Sequence, residues 1–143
     1  MMFDKIFKKK ENNDNNNILI AALLVHAAKI DNNYTVKEKE IIKKALIDLN
    51  LTEANKSEEL LNKAETKEQD ANQIVEFTRA IKKNSMAFRI KVIEILWKII
   101  YSDNLNDNYE SNLIRRVCGL LYVSDKQSGE IKIKINKLIK KDI

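Results

Sequence analysis

Two stretches of this chain read as copies of one unit. The first is Asp31-Asn32-Asn33-Tyr34-Thr35-Val36-Lys37-Glu38, continued by Ile41-Ile42-Lys43-Lys44. The second, in the other half of the chain, is Asp103-Asn104-Leu105-Asn106-Asp107-Asn108-Tyr109-Glu110, continued by Leu113-Ile114-Arg115-Arg116. Each follows an apolar segment, Leu23 to Ile30 or Ile95 to Ser102. Within each copy a short polar side chain stands three residues before a glutamate, as Thr35-x-x-Glu38 and Asp107-x-x-Glu110. That spacing is a capping box, in which each side chain satisfies a backbone N–H that the first helical turn leaves without a partner. The unit is therefore helix, acidic turn, capped helix, and it occurs twice at one constant offset, Asp31 matching Asp103 and Glu38 matching Glu110.

Helical periodicity extends outward from both copies. Residues 18–30 are apolar almost all round, as in a central helix. After the box at Thr35, Ile41, Ile42, Ala45, Leu46 and Leu49 recur at helical spacing. Thr52 is expected to cap a third helix carrying Leu60, Leu61 and Ala64, and a fourth is expected over about 68–83. Ser85 is placed to cap a fifth, with Phe88, Val92, Ile95, Leu96, Ile99 and Ile100 as its stripe. The Asp107 box opens a sixth through Leu121, and Ser124-x-x-Gln127, a third box, opens the last. In that last segment Ile131, Ile133, Ile135 and Ile139 alternate with lysines, which is strand-like. With no partner strand in view, helix is the expectation there too.

Composition agrees with an all-α fold. The 143 residues include no proline and two glycines, Gly119 and Gly129. Sandwiches, barrels and α/β folds all need turn residues more often than that. The length suits one domain that needs no disulfide, and the single cysteine, Cys118, forms none within the chain. The longest apolar run, Ile18 to Ala28, is too short to span a bilayer. These features read as a cytoplasmic protein, with a membrane-peripheral location left open by residues 2–10. There Phe3, Ile6 and Phe7 line one side of a short amphipathic turn followed by Lys8 to Lys10, a weak membrane-surface or partner-docking element. The run Asn12 to Asn17 reads as a flexible linker, so residues 1–17 are expected to precede a helical domain of 18–143.

The net charge is +5, from 26 basic and 21 acidic side chains, with the surplus at the two ends. A chain rich in Asn, Ile and Lys throughout acquires such a surplus by compositional drift. Binding of nucleic acid through the termini stays as the alternative, without sequence specificity.

The order and spacing of these pieces resemble the tellurite-resistance TerB family, whose fold is shared with the N-terminal domain of the DjlA co-chaperones. The likeness runs over about residues 18–137. It rests on the two Asp-turn-Glu units, on Phe77-Thr78-Arg79, on Glu94-Ile95-Leu96-Trp97, and on Leu113-Ile114-Arg115-Arg116-Val117 with Leu120-Leu121-Tyr122-Val123-Ser124. It implies a compact bundle of about seven helices with pseudo-two-fold symmetry. It also implies an acidic cluster where the turns approach one another, proposed for the family to bind divalent cations. Carried to this chain, that cluster is Asp31, Glu38, Asp103 and Glu110, with Asp107 beside it. Here Asn32 and Asn104 stand where the family prefers glycine, and Thr35, Asn33 and Leu105 where acids are common, so the site is less acidic than usual.

Two readings of the acidic turns stand side by side. Glu38 and Glu110 have a sufficient role in capping, as has Asp107. Asp31 and Asp103 lie near helix C-termini, where the macrodipole disfavours an acid, so each calls for a lysine, a backbone donor or a cation. An all-oxygen set favours Ca²⁺ or Mg²⁺ over zinc. Neither turn is an EF-hand, since its twelfth position would be Ile42 or Ile114.

Elsewhere the chemistry is sparse. His26, the only histidine, sits in the most apolar segment and reads as a hydrogen-bonded core residue. Cys118, among Val117, Leu120 and Leu121, reads as a buried inert thiol. Trp97, Phe77, Phe88 and Tyr101 read as core. Arg79 is expected either to pair with an acid such as Glu94 or to meet a partner. No nucleophile elbow or phosphate-cradling loop is present. The expectation is a non-enzymatic binding module that acts through protein partners in a stress or envelope-associated response, with or without a cation.

Overall fold

The computed structural model of the chain describes the backbone of residues 2–30, 33–102 and 108–141, and the side chains of 13–30, 33–102 and 112–138. Among the described residues seven α-helices follow one another: α1 (Met2–Lys29), α2 (Val36–Asp48), α3 (Ser57–Asp70), α4 (Val75–Lys82), α5 (Met86–Tyr101), α6 (Asn108–Leu120) and α7 (Asp125–Lys141). A single 3-10 turn, Ala54–Lys56, leads into α3, and no strand occurs among the described residues.

The C-terminal half of α1 is the axis of the fold. Ala21, Ala22, Leu23, Leu24 and Val25 have no exposed surface, and α1 packs on α2, α3, α4 and α5. An all-round apolar sequence has no polar side to turn outward, so four neighbours must cover it. Leu46 of α2, Ile81 of α4, Leu96 and Ile99 of α5, and Ile114 of α6 complete the core. Burying one such leucine or isoleucine contributes roughly 1.5–3 kcal/mol.

The internal repeat is structural. Helices α2 and α6 begin and end at matching positions of the two copies, Val36 with Asn108 and Asp48 with Leu120. The last residues of α1 and α5, Lys29 and Tyr101, match at the same offset. The trio α1, α2, α3 makes the same set of pairwise contacts as α5, α6, α7, while α4 lies between them against α1, α5 and α6. Both second helices also end alike. Leu51 N–H reaches the Leu46 carbonyl at 3.0 Å, and Val123 N–H the Cys118 carbonyl at 2.9 Å. These are the long hydrogen bonds of two Schellman motifs.

Caps anticipated at Thr35, Ser85 and Ser124 are present. Glu38 N–H donates to Thr35 Oγ1 while Thr35 N–H donates to Glu38 Oε1; Phe88 N–H donates to Ser85 Oγ; Ser124 and Gln127 form the reciprocal pair. Helix also wins over strand at the C-terminus. Ile131 and Ile135 are buried four residues apart, whereas Ile133 is 58% exposed, so the alternation does not define a face.

Three expectations need correction. The asparagine run is no linker, because α1 continues through it from Met2. Asparagine costs a helix only about 0.7 kcal/mol per residue against alanine, and Asn17 Nδ2, donating to the Leu51 carbonyl at 3.2 Å, ties the end of the run to the domain. Thr52 does not cap a helix. Its hydroxyl donates to the Glu53 carbonyl, and Glu53 precedes the 3-10 turn. The fourth helix does not begin near 68. Helix α3 persists to Asp70, held on α1 by Glu68, and α4 starts only at Val75 after an extended Ala71.

Candidate functional site

The two acidic turns are the α1–α2 and α5–α6 connections, and their described flanks meet. Lys37, in the first turn of α2, donates from Nζ to the Ser102 carbonyl at 3.1 Å. Ser102 is the C-cap of α5, immediately before Asp103, so this bond joins the start of one turn-following helix to the end of the other turn-preceding helix. A lysine here also complements the negative end of the α5 dipole. Glu38 is 2% exposed, and its Oε1 accepts from both the N–H and the hydroxyl of Thr35, each at 3.0 Å.

Behind the first turn lies a cluster of charged groups joining α1, α2 and α3. Glu68 of α3 accepts from Lys29 at 2.7 Å with one carboxylate oxygen and faces His26 Nδ1 at 3.2 Å with the other. Its side chain is 10% exposed. Burial would push the Glu68 carboxyl up, but the hydrogen bonds from Lys29 and His26 outweigh it and hold it below the usual glutamate range. Lys39 stands over the Tyr34 ring at 4.9 Å from its centroid and 3.9 Å from a Glu65 oxygen. Burial, aided by the carboxylates of Glu65, Glu38 and Glu68, pushes the Tyr34 phenol far above its ordinary range. Its hydroxyl is buried with no hydrogen-bond partner among the described residues.

A family model described as Tellurite resistance protein TerB matches residues 17–133. The chain belongs to the TerB family. No curated protein and no solved structure matches it.

In this TerB-family chain, one of the five carboxylates carried over from the resemblance, Glu38, lies among the described residues, and it is seen in its capping role. Asp31, Asp103, Asp107 and the side chain of Glu110 lie outside them, as do the side chains of Phe3, Ile6 and Phe7. Among the described residues no three His, Cys, Asp or Glu side chains are grouped to hold a metal ion. In donor type the five positions suit a hard cation, since all are carboxylates.

Other candidates are placed more fully. Arg79 is exposed and forms no ion pair among the described residues. Glu94, its anticipated partner, instead approaches Lys134 of α7 at 3.4 Å. His26 is hydrogen-bonded but not a core residue, because its side chain is 35% exposed where it turns toward Glu68. Cys118 is buried, and burial pushes its thiol up, away from the reactive thiolate. Trp97 and Phe77 are buried, while Phe88 and Tyr101 are half-buried, with Tyr101 stacked on Trp97 at 5.7 Å.

Sequence reasoning passed over Glu65 and Glu68, and also Arg89. The first pair had a signal. His26-x-x-Lys29 and Glu65-x-x-Glu68 present opposite charges at the same helical spacing. Arg89 had none, since its acceptors are the backbone carbonyls of Lys82, Asn84 and Leu121.

No described helix is long and apolar enough to cross a membrane.

Proposed function

We propose that this TerB-family chain is a non-enzymatic helical binding module that works through protein partners in a stress or envelope-associated response. In this reading a divalent cation, Ca²⁺ or Mg²⁺, sits between the two acidic turns, held by Asp31, Asp103, Asp107 and Glu110 beside the capping Glu38. The observation that carries it is the Lys37–Ser102 hydrogen bond, which joins the flanks of two turns that lie in opposite halves of the chain. The buried Cys118, whose thiol is pushed up by burial, supports a binding role over thiol catalysis.

Thermal melting tests the cation. The protein is melted in EDTA and then with Ca²⁺, Mg²⁺, Mn²⁺ or Zn²⁺, alongside an Asp31→Asn/Asp103→Asn variant. A cation at about 100 times its dissociation constant adds roughly 2.7 kcal/mol, which is several degrees in a domain of this size. A rise with Ca²⁺ or Mg²⁺ that the double variant loses is the expected result. Equal melting in every buffer removes the cation from the proposal and leaves the turns as caps.

A further inference from the structure

A groove of about 720 Å³ runs between α2, α5 and α7. Its floor is apolar, formed by Ile41, Ala45, Leu49, Ile95, Ile135 and Leu138. Leu138 is 47% exposed, a large apolar side chain left uncovered at the edge of the groove. Lysines line both walls. Helix α2 supplies Lys37 and Lys44, and α5 supplies Lys91 and Lys98.

The spacing of these lysines is the informative feature. Each pair is separated by one heptad, which is two helical turns or about 10.5 Å along its axis. All four are exposed, and none forms a salt bridge among the described residues. Of the two acids in the groove, Glu94 is engaged by Lys134, which leaves Asp48 alone against the lysines. The surface is thus an apolar trough with two positive charges on either side at heptad separation.

The geometry points to this groove as the docking site for an amphipathic helix of a partner protein, one whose apolar stripe is flanked on both sides by glutamates or aspartates. Such a helix lays its a and d side chains on the floor and sets its e and g carboxylates against the lysines, as coiled-coil partners do. The inference rests on the binding-module reading above and names the partner's chemistry. Other occupants match less well. The chain's own Phe3-Ile6-Phe7 segment carries Lys5 and Lys8 to Lys10, so it brings positive charge to a positive rim. A second copy docked by the same face opposes lysine to lysine. A fatty acid offers one carboxylate to four ammonium groups. A nucleic acid needs the lysines but has no use for the floor.

Selection from a phage-displayed library of random peptides tests this, with lengths of about 16 residues giving just over four helical turns. The baits are the full chain and its Lys44→Glu/Lys98→Glu variant, whose substituted positions are exposed and leave the core untouched; circular dichroism verifies its fold. The expected winners carry apolar residues at i, i+3/i+4 and i+7 with acids beside them. They bind the variant about tenfold or more weakly, since two attractive rim charges become repulsive. They also weaken with salt and with a Leu138→Asp bait. Winners that are basic or unpatterned, or that bind the variant equally, overturn the groove while leaving a binding module with another face. A single-stranded oligonucleotide that binds the groove more tightly than any winner also overturns it. No winners on either bait overturns the groove and the partner-binding reading together.

Discussion

Asn50 and Tyr122 hold the same backbone conformation, φ 59° and 58°, at equivalent points of the two halves of the repeat. Each is the left-handed residue that ends the second helix of its half, with the Schellman hydrogen bonds Leu51–Leu46 and Val123–Cys118 closing over it. Asparagine tolerates this conformation, whereas a tyrosine held there is strained. Tyr122 is 66% exposed, and its hydroxyl accepts from Lys82 at 3.0 Å, with the ammonium also 4.3 Å from the ring centroid.

Replacing Tyr122 by Gly should therefore stabilise the protein. Relief of the left-handed strain is worth about 1–2 kcal/mol. The exposed Lys82 contact is worth about 0.5–1 kcal/mol. The expected gain is a rise of a few degrees in Tm. Asn50→Ala should lower Tm, and a fall in Tyr122→Gly as well would show that the Lys82 contact outweighs the strain.

Thr35 and Glu38 should behave as one unit. Thr35→Ala removes the acceptor for Glu38 N–H at a cost of about 1 kcal/mol. Glu38→Ala strips the Thr35 N–H of its partner at a site almost wholly covered, since Glu38 is 2% exposed. In urea unfolding the double variant should lose less than the two single losses added, because both bonds belong to the same box. Strict additivity would show that the two hydrogen bonds act independently.

Glu68 should impose an acid limit on stability. Its carboxyl titrates lower in the folded chain than in the unfolded one. Its contribution is therefore present above the ordinary glutamate range, near ~4.3, and is lost as pH falls through the lower folded-state value. Urea midpoints between about pH 6 and pH 3 should drop more steeply for the wild type than for Glu68→Gln. Parallel curves would place the acid sensitivity elsewhere.

Arg89 should not be replaceable by lysine. Its guanidinium donates to the Lys82 carbonyl at 2.8 Å, the Asn84 carbonyl at 3.2 Å and the Leu121 carbonyl at 3.4 Å, tying the ends of α4 and α6 to the start of α5. A lysine has one nitrogen where the arginine uses three, so it cannot span these acceptors. Arg89→Lys should cost about 1–2 kcal/mol in urea unfolding. A loss confined to Arg89→Ala would mean that charge, rather than the fork, matters.

Of the five carboxylates of the candidate site only Glu38 lies among the described residues, in its capping role; what was legible in the chain is the local framework around it. The repeat, the Thr35–Glu38 and Ser124–Gln127 boxes and the Ser85 cap each depend on side chains and N–H groups three residues apart. Such contacts form as soon as the helix does, so local spacing encodes them. The absence of proline and the scarcity of glycine carried the all-α class in the same way.

Other features depended on partners far along the chain. The asparagine run became helix because α1 continues into a packed core and Asn17 finds Leu51, 34 residues on. Helix α3 carries Glu68 to Lys29 and His26, at separations of 39 and 42 residues. His26 left the core for the same carboxylate, and Glu94 chose Lys134 over Arg79. The contact that joins the two turns, Lys37 to Ser102, spans 65 residues. Helix propensities differ by less than about 1 kcal/mol per residue, whereas burial and charged hydrogen bonds are worth more. Capping and periodicity thus settled where helices begin and which faces are apolar, and packing chose which distant side chains meet across them.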